Sequence, residues 1–226
     1  MSIRFHPRNE ILLAYATGTL EEAASVLIAT HLALCPQCRT AVGCMEAVGG
    51  ALLDALPAAA LDDRNLTQMM TRLDEPASVP APAKAADDLS STRSPGTSAM
   101  LPQPLRGYVA GDNAAHLPWH RLMNLDYIDL KTRGRGRARL LRVSPGGTIP
   151  YHGHSGEEFV LVLAGGYSDG TGAYHRGDVA SADPSLRHAP VAEPGEACIC
   201  MTVNYGVLLP TRILAPLARL FRGRVH

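Results

Sequence analysis

The sequence predicts a multidomain α + β chain: a small all-α helical domain first, a linker next and a β-barrel or sandwich last. Three observations carry this. Before residue 75 apolar residues recur at helical spacing; after residue 101 they fall into short extended runs between Gly-rich turns; between the two, Pro, Ala, Ser and Thr take over. The expected boundaries are 1–75, 76–100 and 101–226.

Ile11, Leu12, Tyr15 and Ala16 make the first helical run, which Gly18 ends. Thr19-Leu-Glu-Glu22 reads as a capping box, Thr19 capping and Glu22 reaching back. The helix it opens carries Leu20, Ala24, Leu27, His31 and Leu34 along one stripe. Pro36 suits the first turn of a third helix, whose apolar face uses Val42, Met45, Val48 and Leu52. Beyond Pro57 a fourth segment carries Leu61, Leu66, Met69, Met70 and Leu73. Pro76, Pro80, Pro82, Pro95, Pro102 and Pro104 punctuate the middle, which has no aromatic residue and too little apolar content to offset its own ordering entropy. Downstream, residues 139–143, 158–163, 178–182 and 198–205 are strand-like, with Pro145-Gly146-Gly147 and Ala164-Gly165-Gly166 as turns. Short strands without intervening helices suggest a barrel or sandwich.

Composition narrows the function. The chain has 226 residues, 21 Lys+Arg against 21 Asp+Glu, and five Cys. Residues 1–100 carry 7 basic and 11 acidic groups, net −4; residues 101–226 carry 14 and 10, net +4. This balance argues against general nucleic-acid binding, which needs an excess of Lys and Arg on the contact face. Five is an odd number for a disulfide framework. Arg4, His6, Arg8 and Glu10 occupy the place of a secretory apolar core. The most apolar stretch, 41–61, holds Glu46, Gly49, Gly50, Asp54 and Pro57 and makes a poor membrane span. A reducing cytoplasm is the expected setting, where clustered Cys bind metal or sense oxidants.

Two constellations carry chemistry. His31 and Cys35 are four apart at the end of one helix, and Cys35-x-x-Cys38 puts two thiolates on the turn into the next. Three such ligands suit tetrahedral zinc. His6 and Cys44 are candidates for the fourth; Cys44 lies six residues beyond Cys38, turned away on the same helix, so His6 is favoured. A redox Cys-x-x-Cys would need a βαβ setting, which the pattern lacks. The second constellation is Gly146-x5-His152-x-His154-x3-Glu158-x6-Gly165. Residues two apart on a strand share a face, so His152 and His154 aim together; Glu158 opens the next strand, and His188 follows in Gly177-Asp178-x4-Asp183-Pro184-Ser185-x2-His188. Three imidazoles and a carboxylate suit Zn, Fe, Mn, Ni or Co. Gly146, His152, His154, Glu158 and Gly165 match the first motif of the cupin superfamily. The second motif is matched at Gly177 and His188, while Asp183, Ser185 and Ala192 stand where Pro, Gly and Asn are expected.

Other features read as structural. His116, His120, His175 and His226 have no partner spacing. Cys198 and Cys200 share one face of a strand, opposite Met201, as buried thiols. The Arg-rich run 133–142 reads as a solvated turn leading into a strand, and 213–221 as a short basic amphipathic helix packed on the barrel.

An H-x3-C-x2-C helical segment, a linker and a cupin in one chain resemble the ChrR family of zinc-binding anti-sigma factors. The resemblance implies a small N-terminal zinc-binding helical bundle followed by a C-terminal cupin (double-stranded β-helix, jelly-roll) barrel. It implies zinc on His6, His31, Cys35 and Cys38, and a second divalent metal, expected to be zinc, on His152, His154, Glu158 and His188. It further implies a cytoplasmic protein whose helical domain grips an extracytoplasmic-function type sigma factor. The cupin would serve release under photooxidative or related oxidative stress, without direct contact to nucleic acid or membrane. The competing reading is a cupin-fold metal-dependent enzyme, a dioxygenase or isomerase with the helical domain as accessory. Tyr151 and Glu157 would then be the nearby acid-base candidates. A nucleic-acid-binding finger is disfavoured by the acidic N-terminal half and the missing second Cys/His pair.

Overall fold

A computed structural model describes residues 2–60, 62–73, 100–109, 111–122 and 125–210. Most of the expected linker and the expected helix at 213–221 lie outside these residues, as do Leu61 and His226. The helices are α1 (Asn9–Ala16), α2 (Glu22–Leu34), α3 (Pro36–Asp54), α4 (Asp63–Leu73) and α5 (Gln103–Arg106), with a 3₁₀ turn at Ala114–His116. The strands are β1 (His120–Leu122), β2 (Leu125–Leu130), β3 (Arg137–Val143), β4 (His152–His154), β5 (Glu158–Ala164) and β6 (Gly166–Asp169). They continue with β7 (Gly172–His175), β8 (Val179–Ala182), β9 (Arg187–His188), β10 (Val191–Ala192), β11 (Cys198–Asn204) and β12 (Leu208–Pro210). A six-stranded antiparallel sheet runs β1-β2-β3-β11-β5-β8; β10-β6-β7 and β12-β4-β9 form two three-stranded sheets. The four strand runs read from the sequence fall on β3, β5, β8 and β11.

The central strand β11 is buried at every position, and its period-2 alternation feeds two cores. Cys198 and Cys200 join Leu125, Leu141, Val143, Val162 and Tyr167 in one cluster. Ile199, Met201 and Val203 face the other way, into a cluster with Leu140 and Leu161 that also holds Leu27 and Ile28 of α2 and Leu105 of α5. The helices therefore cover one face of the large sheet. Residues within 1–49 and 98–226 form one compact unit, and residues within 50–97 the other; the sequence placed its boundaries at 75 and 101 instead. The reason lies in α2. Ala23, Ala24, Val26, Leu27, Ile28 and Leu32 are all buried, and a helix apolar all round has to be enclosed, which a small bundle cannot do.

Two helix expectations need correction. Thr19 does not cap α2: its hydroxyl donates to the Ala14 carbonyl at 3.2 Å, and the N-cap is Glu21, with no side-chain cap bond. Glu22 does not reach back either. The Glu22 carboxylate accepts from Arg133 N at 2.5 Å and from Tyr108 Oη at 2.9 Å; that of Glu21 accepts from Arg135 N and Gly136 N, both at 3.1 Å. Two acids at a helix start thus satisfy the main chain of a barrel loop, and these bonds lower both acids' pKa values. A Cβ on Gly136 would stand 3.1 Å from the Ala23 methyl, so the loop approaches the helix closely. The second correction concerns α3, where only Cys38 and Val42 are buried; Val48 and Leu52 of the expected apolar face are exposed.

Two arginines of the Arg-rich run, Arg139 and Arg142, are paired within the barrel wall. Asp126, itself buried, receives Arg121 and Arg142, Arg139 pairs with Asp129, and the Arg142 guanidinium lies 4.6 Å from the centroid of the Trp119 ring. No described helix is long and apolar enough to cross a membrane.

Because Leu27 and Leu161 share one core, Leu27→Ala should destabilise helices and barrel together, by about 2–5 kcal/mol. Thermal unfolding followed by far-UV circular dichroism and by Trp119 fluorescence should give coincident, equally shifted midpoints. Separate transitions would contradict the shared core.

Candidate metal centres

The first cluster forms where α2 ends. His31, in the last turn, and Cys35, at the C-cap, bring their side chains to one point, and Pro36 starts α3 so that Cys38 turns back toward it. His6 completes the set: Nδ1 lies 3.5 Å from Cys35 Sγ and 3.3 Å from Cys38 Sγ. The ligand atoms of His6, His31, Cys35 and Cys38 all lie within 4.8 Å of one another. Cys44, the other candidate, is exposed and away from the cluster.

His6 and His31 are both oriented by the barrel. The His31 ring donates from Nδ1 to the Gly177 carbonyl at 2.8 Å. A neutral imidazole protonated there presents a bare Nε2, and burial lowers the His31 pKa, which favours the neutral ring. That Nε2 is buried without a hydrogen-bond partner. His6 arrives on an N-terminal arm fastened to the β7–β8 turn. The Asp178 carboxylate accepts from Arg4 N at 2.7 Å, Phe5 N at 3.0 Å and His175 N at 2.8 Å, and Val179 N donates to the Phe5 carbonyl. Gly177 has φ +94°, and a Cβ there would meet Ile3 Cδ1 at 2.6 Å, so turn conformation and arm together require glycine.

The second cluster lies inside the barrel. His152 and His154 on β4 and His188 on β9 meet through the β4–β9 pairing, in which His152 is opposite His188; Glu158 opens β5. Their ligand atoms also lie within 4.8 Å of one another, and all four residues are buried. His154 Nε2 is 3.1 Å from Glu158 Oε2 and 3.2 Å from His188 Nε2. Outer bonds aim the rings: His152 Nδ1 donates to the Pro150 carbonyl and His188 Nδ1 to Asp169 Oδ2, at 2.8 and 2.7 Å. Such bonds leave Nε2 for a cation. Burial holds His152 and His154 down to about 4 and pushes Glu158 up to about 7, against a hydrogen bond from Asn204.

Both donor sets fit a metal. Nε2 of His31 has no protein partner, and His154 and His188 turn ring nitrogens toward each other beside a buried carboxyl. Burial and the neighbouring Cys35 push the Cys38 thiol up to about 12. A divalent cation would reverse this by stabilising the thiolate.

A cavity of about 60 Å³ adjoins the barrel cluster, walled by Leu125, Leu141, Val143 and Val160 and reached by Cys198, Cys200 and Thr202. The two sulfurs are 3.4 Å apart. Tyr151 and Glu157 do not line the cavity; Glu157 pairs with Arg8. Of the remaining histidines, His175 meets Glu193 at 3.1 Å, and His120 packs on Tyr127. Sequence reasoning left Asp169, Asp178 and Asn204 without roles. Asp178 stood inside the quoted Gly177-Asp178 motif, whereas Asp169 read as an ordinary turn residue.

Residues 108–207 match the family described as the ChrR cupin-like domain. Over 205 residues the chain is 40% identical to the anti-sigma-E factor ChrR of Cereibacter sphaeroides, covering 90% of this chain and 91% of that protein. The crystal structure of Rhodobacter sphaeroides SigE in complex with the anti-sigma ChrR is similar with a TM-score of 0.74 and 37% identity, over 90% of this chain and 99% of that one. An rmlC-like cupin protein from Ralstonia eutropha is similar over 40% of this chain and 64% of its own, at 24% identity and a TM-score of 0.37.

Two outcomes follow from the geometry. Protons compete for the ligand atoms, so barrel affinity for a divalent cation should fall about tenfold per pH unit as Glu158 protonates below about 7. It should fall more steeply near 4, where His152 and His154 also protonate; metal-buffered titration from pH 8 to 4 measures the slope. Asp178→Ala should free the arm and weaken metal binding at the helical cluster by about 10–100-fold, read by chelator competition. Unchanged affinity would show that the arm does not position His6.

Proposed function

The chain belongs to the ChrR family of anti-sigma factors, and on that premise we propose that it binds and inhibits a sigma factor of the extracytoplasmic-function type. The observation in this chain that carries the reading is an uncovered apolar stripe. On α4, Leu66, Met69, Met70 and Leu73 recur at helical spacing and are 57–75% exposed; Val48, Leu52 and Leu53 on α3 are exposed as well. An amphipathic helix of this kind suits a groove on a protein partner, with methionines that adapt to its shape. The net −4 of residues 1–100 suits a partner whose own surfaces are basic because they meet DNA.

We assign zinc to His6, His31, Cys35 and Cys38 on the chemistry of two thiolates and two imidazoles, and a second divalent metal, zinc, to His152, His154, Glu158 and His188. Bound there, each cation supplies the positive charge that its buried donors otherwise lack. Zinc shared by His31 and Cys38 would fix the angle between α2 and the start of α3. The barrel would serve release under oxidative stress in the cytoplasm. Such a signal must favour the free form over the bound one, because equal affinity for both shifts nothing. Tyr151 and Glu157, the acid-base candidates of a catalytic reading, do not line the cavity, and the relative that this chain matches is an anti-sigma factor.

Co-expression of the full chain with the extracytoplasmic-function sigma factors of its own cell, tested one by one, should yield a stable complex with one of them that blocks transcription from that factor's promoter. Met69→Asp with Met70→Asp should abolish the complex with the fold intact. His154→Ala should keep inhibition and lose release on oxidant treatment. A chain that leaves sigma-dependent transcription unaltered would overturn the reading.

A further inference from the structure

The two clusters are joined by one continuous run of contacts, none of whose intermediate residues is itself among the ligands of either cluster. His188 Nδ1 donates to Asp169 Oδ2 at 2.7 Å. The other Asp169 oxygen accepts from Thr171 N and Thr171 Oγ1, at 2.8 and 2.5 Å, closing the β6–β7 turn. Because that hydroxyl donates to a carboxylate, the 2.9 Å contact to Tyr174 is a bond from the Tyr174 phenol to Thr171 Oγ1. The Tyr174 ring lies 4.6 Å from the ring of Phe5, and a Cβ on Gly172 would stand 3.2 Å from Phe5 Cζ. Phe5 is covalently next to His6. Asp169 and Tyr174 are both removed from bulk water, by 2% side-chain exposure in one case and 6% in the other.

Resting on the metal assignments proposed above, we infer that a divalent cation in the barrel cluster sets how firmly the helical cluster holds its zinc, through Asp169, Thr171, Tyr174 and Phe5. A cation on Nε2 fixes the His188 ring; the ring fixes Asp169; Asp169 and Thr171 hold the turn; Tyr174 keeps Phe5, and therefore His6, in place. Without the cation the His188 ring keeps its bond to Asp169 but loses the anchor on Nε2, so the hold that passes through Tyr174 to the arm is weaker. Linkage makes the effect reciprocal: zinc on His6 also steadies the barrel cation.

The test uses the full chain loaded with Co²⁺. Cobalt bound by Cys35 and Cys38 absorbs in the near-ultraviolet through thiolate-to-metal charge transfer, which the His/Glu cluster cannot produce, so one band reports the helical cluster alone. Its decay under excess chelator is compared in the unmodified chain, His154→Ala, Tyr174→Phe and the double variant. Each single change should accelerate the loss by about 5- to 10-fold. The double variant should lose cobalt no faster than His154→Ala, since both cut one route. Leu122→Ala, on the edge strand β1 and off the route, should leave the rate within about twofold. An unchanged rate in His154→Ala, additive effects in the double variant, or equal acceleration by Leu122→Ala would each overturn the coupling. Those outcomes leave the zinc assignment intact. Failure of the band to form at all would overturn the assignment and the coupling together.

Discussion

The buried carboxylate of Asp178 holds three main-chain N–H groups, two of them on the N-terminal arm. The preceding residue, Gly177, offers its carbonyl to His31. A carboxyl group 2% exposed is sustainable only because its oxygens are met by oriented N–H donors. From this one turn follow the register of the arm along β8, the delivery of His6 and the orientation of the His31 ring. The first metal cluster is thus built by helices but aimed by the barrel. A helical segment lifted away from the β domain would retain Cys35 and Cys38 and lose the orientation of both imidazoles.

Local spacing made much of this legible. His31 and Cys35 share a helix face at an interval of four, and Cys38 returns through the first turn of α3, so three of the four ligands can be read from eight consecutive residues. His152, His154 and Glu158 are likewise fixed by strand alternation and one turn, and the strands carrying the longest apolar runs are recognisable in sequence. What escaped was set at long range. Glu21 and Glu22 look like helix-start acids; that they bind main-chain N–H groups more than 110 residues away depends on a loop no local rule connects to them. Asp178 meets Arg4 across 174 positions. The α2 sequence did carry a sign of enclosure, because Ala23 and Val26 extend the apolar surface beyond the face of Ala24, Leu27 and Ile28, yet a stripe can be drawn through any such helix.

The two clusters impose different electrical demands on the same fold. Around the barrel site, beside apolar walls, burial keeps the His152 and His154 rings neutral and raises the Glu158 carboxyl to about 7. The helical site has a thiol held up to about 12 beside another thiol and must give up protons to form its metal bonds. The exposed leucines and methionines of α3 and α4 pose a different demand: their hydration cost is offset only where another surface covers them.

The distance along the chain between His31 and Gly177 has a meaning for how the protein is made. These partners are separated by 146 residues, and translation at about 5–20 residues per second places roughly 7–30 s between their appearances. For that interval Cys35 and Cys38 are out of the ribosome while the turn that aims His31 does not yet exist. The thiols pass through biosynthesis open to the reductants, oxidants and free metal of their surroundings. Final geometry at the amino-terminal cluster is among the last events of folding, although its residues are among the first synthesised.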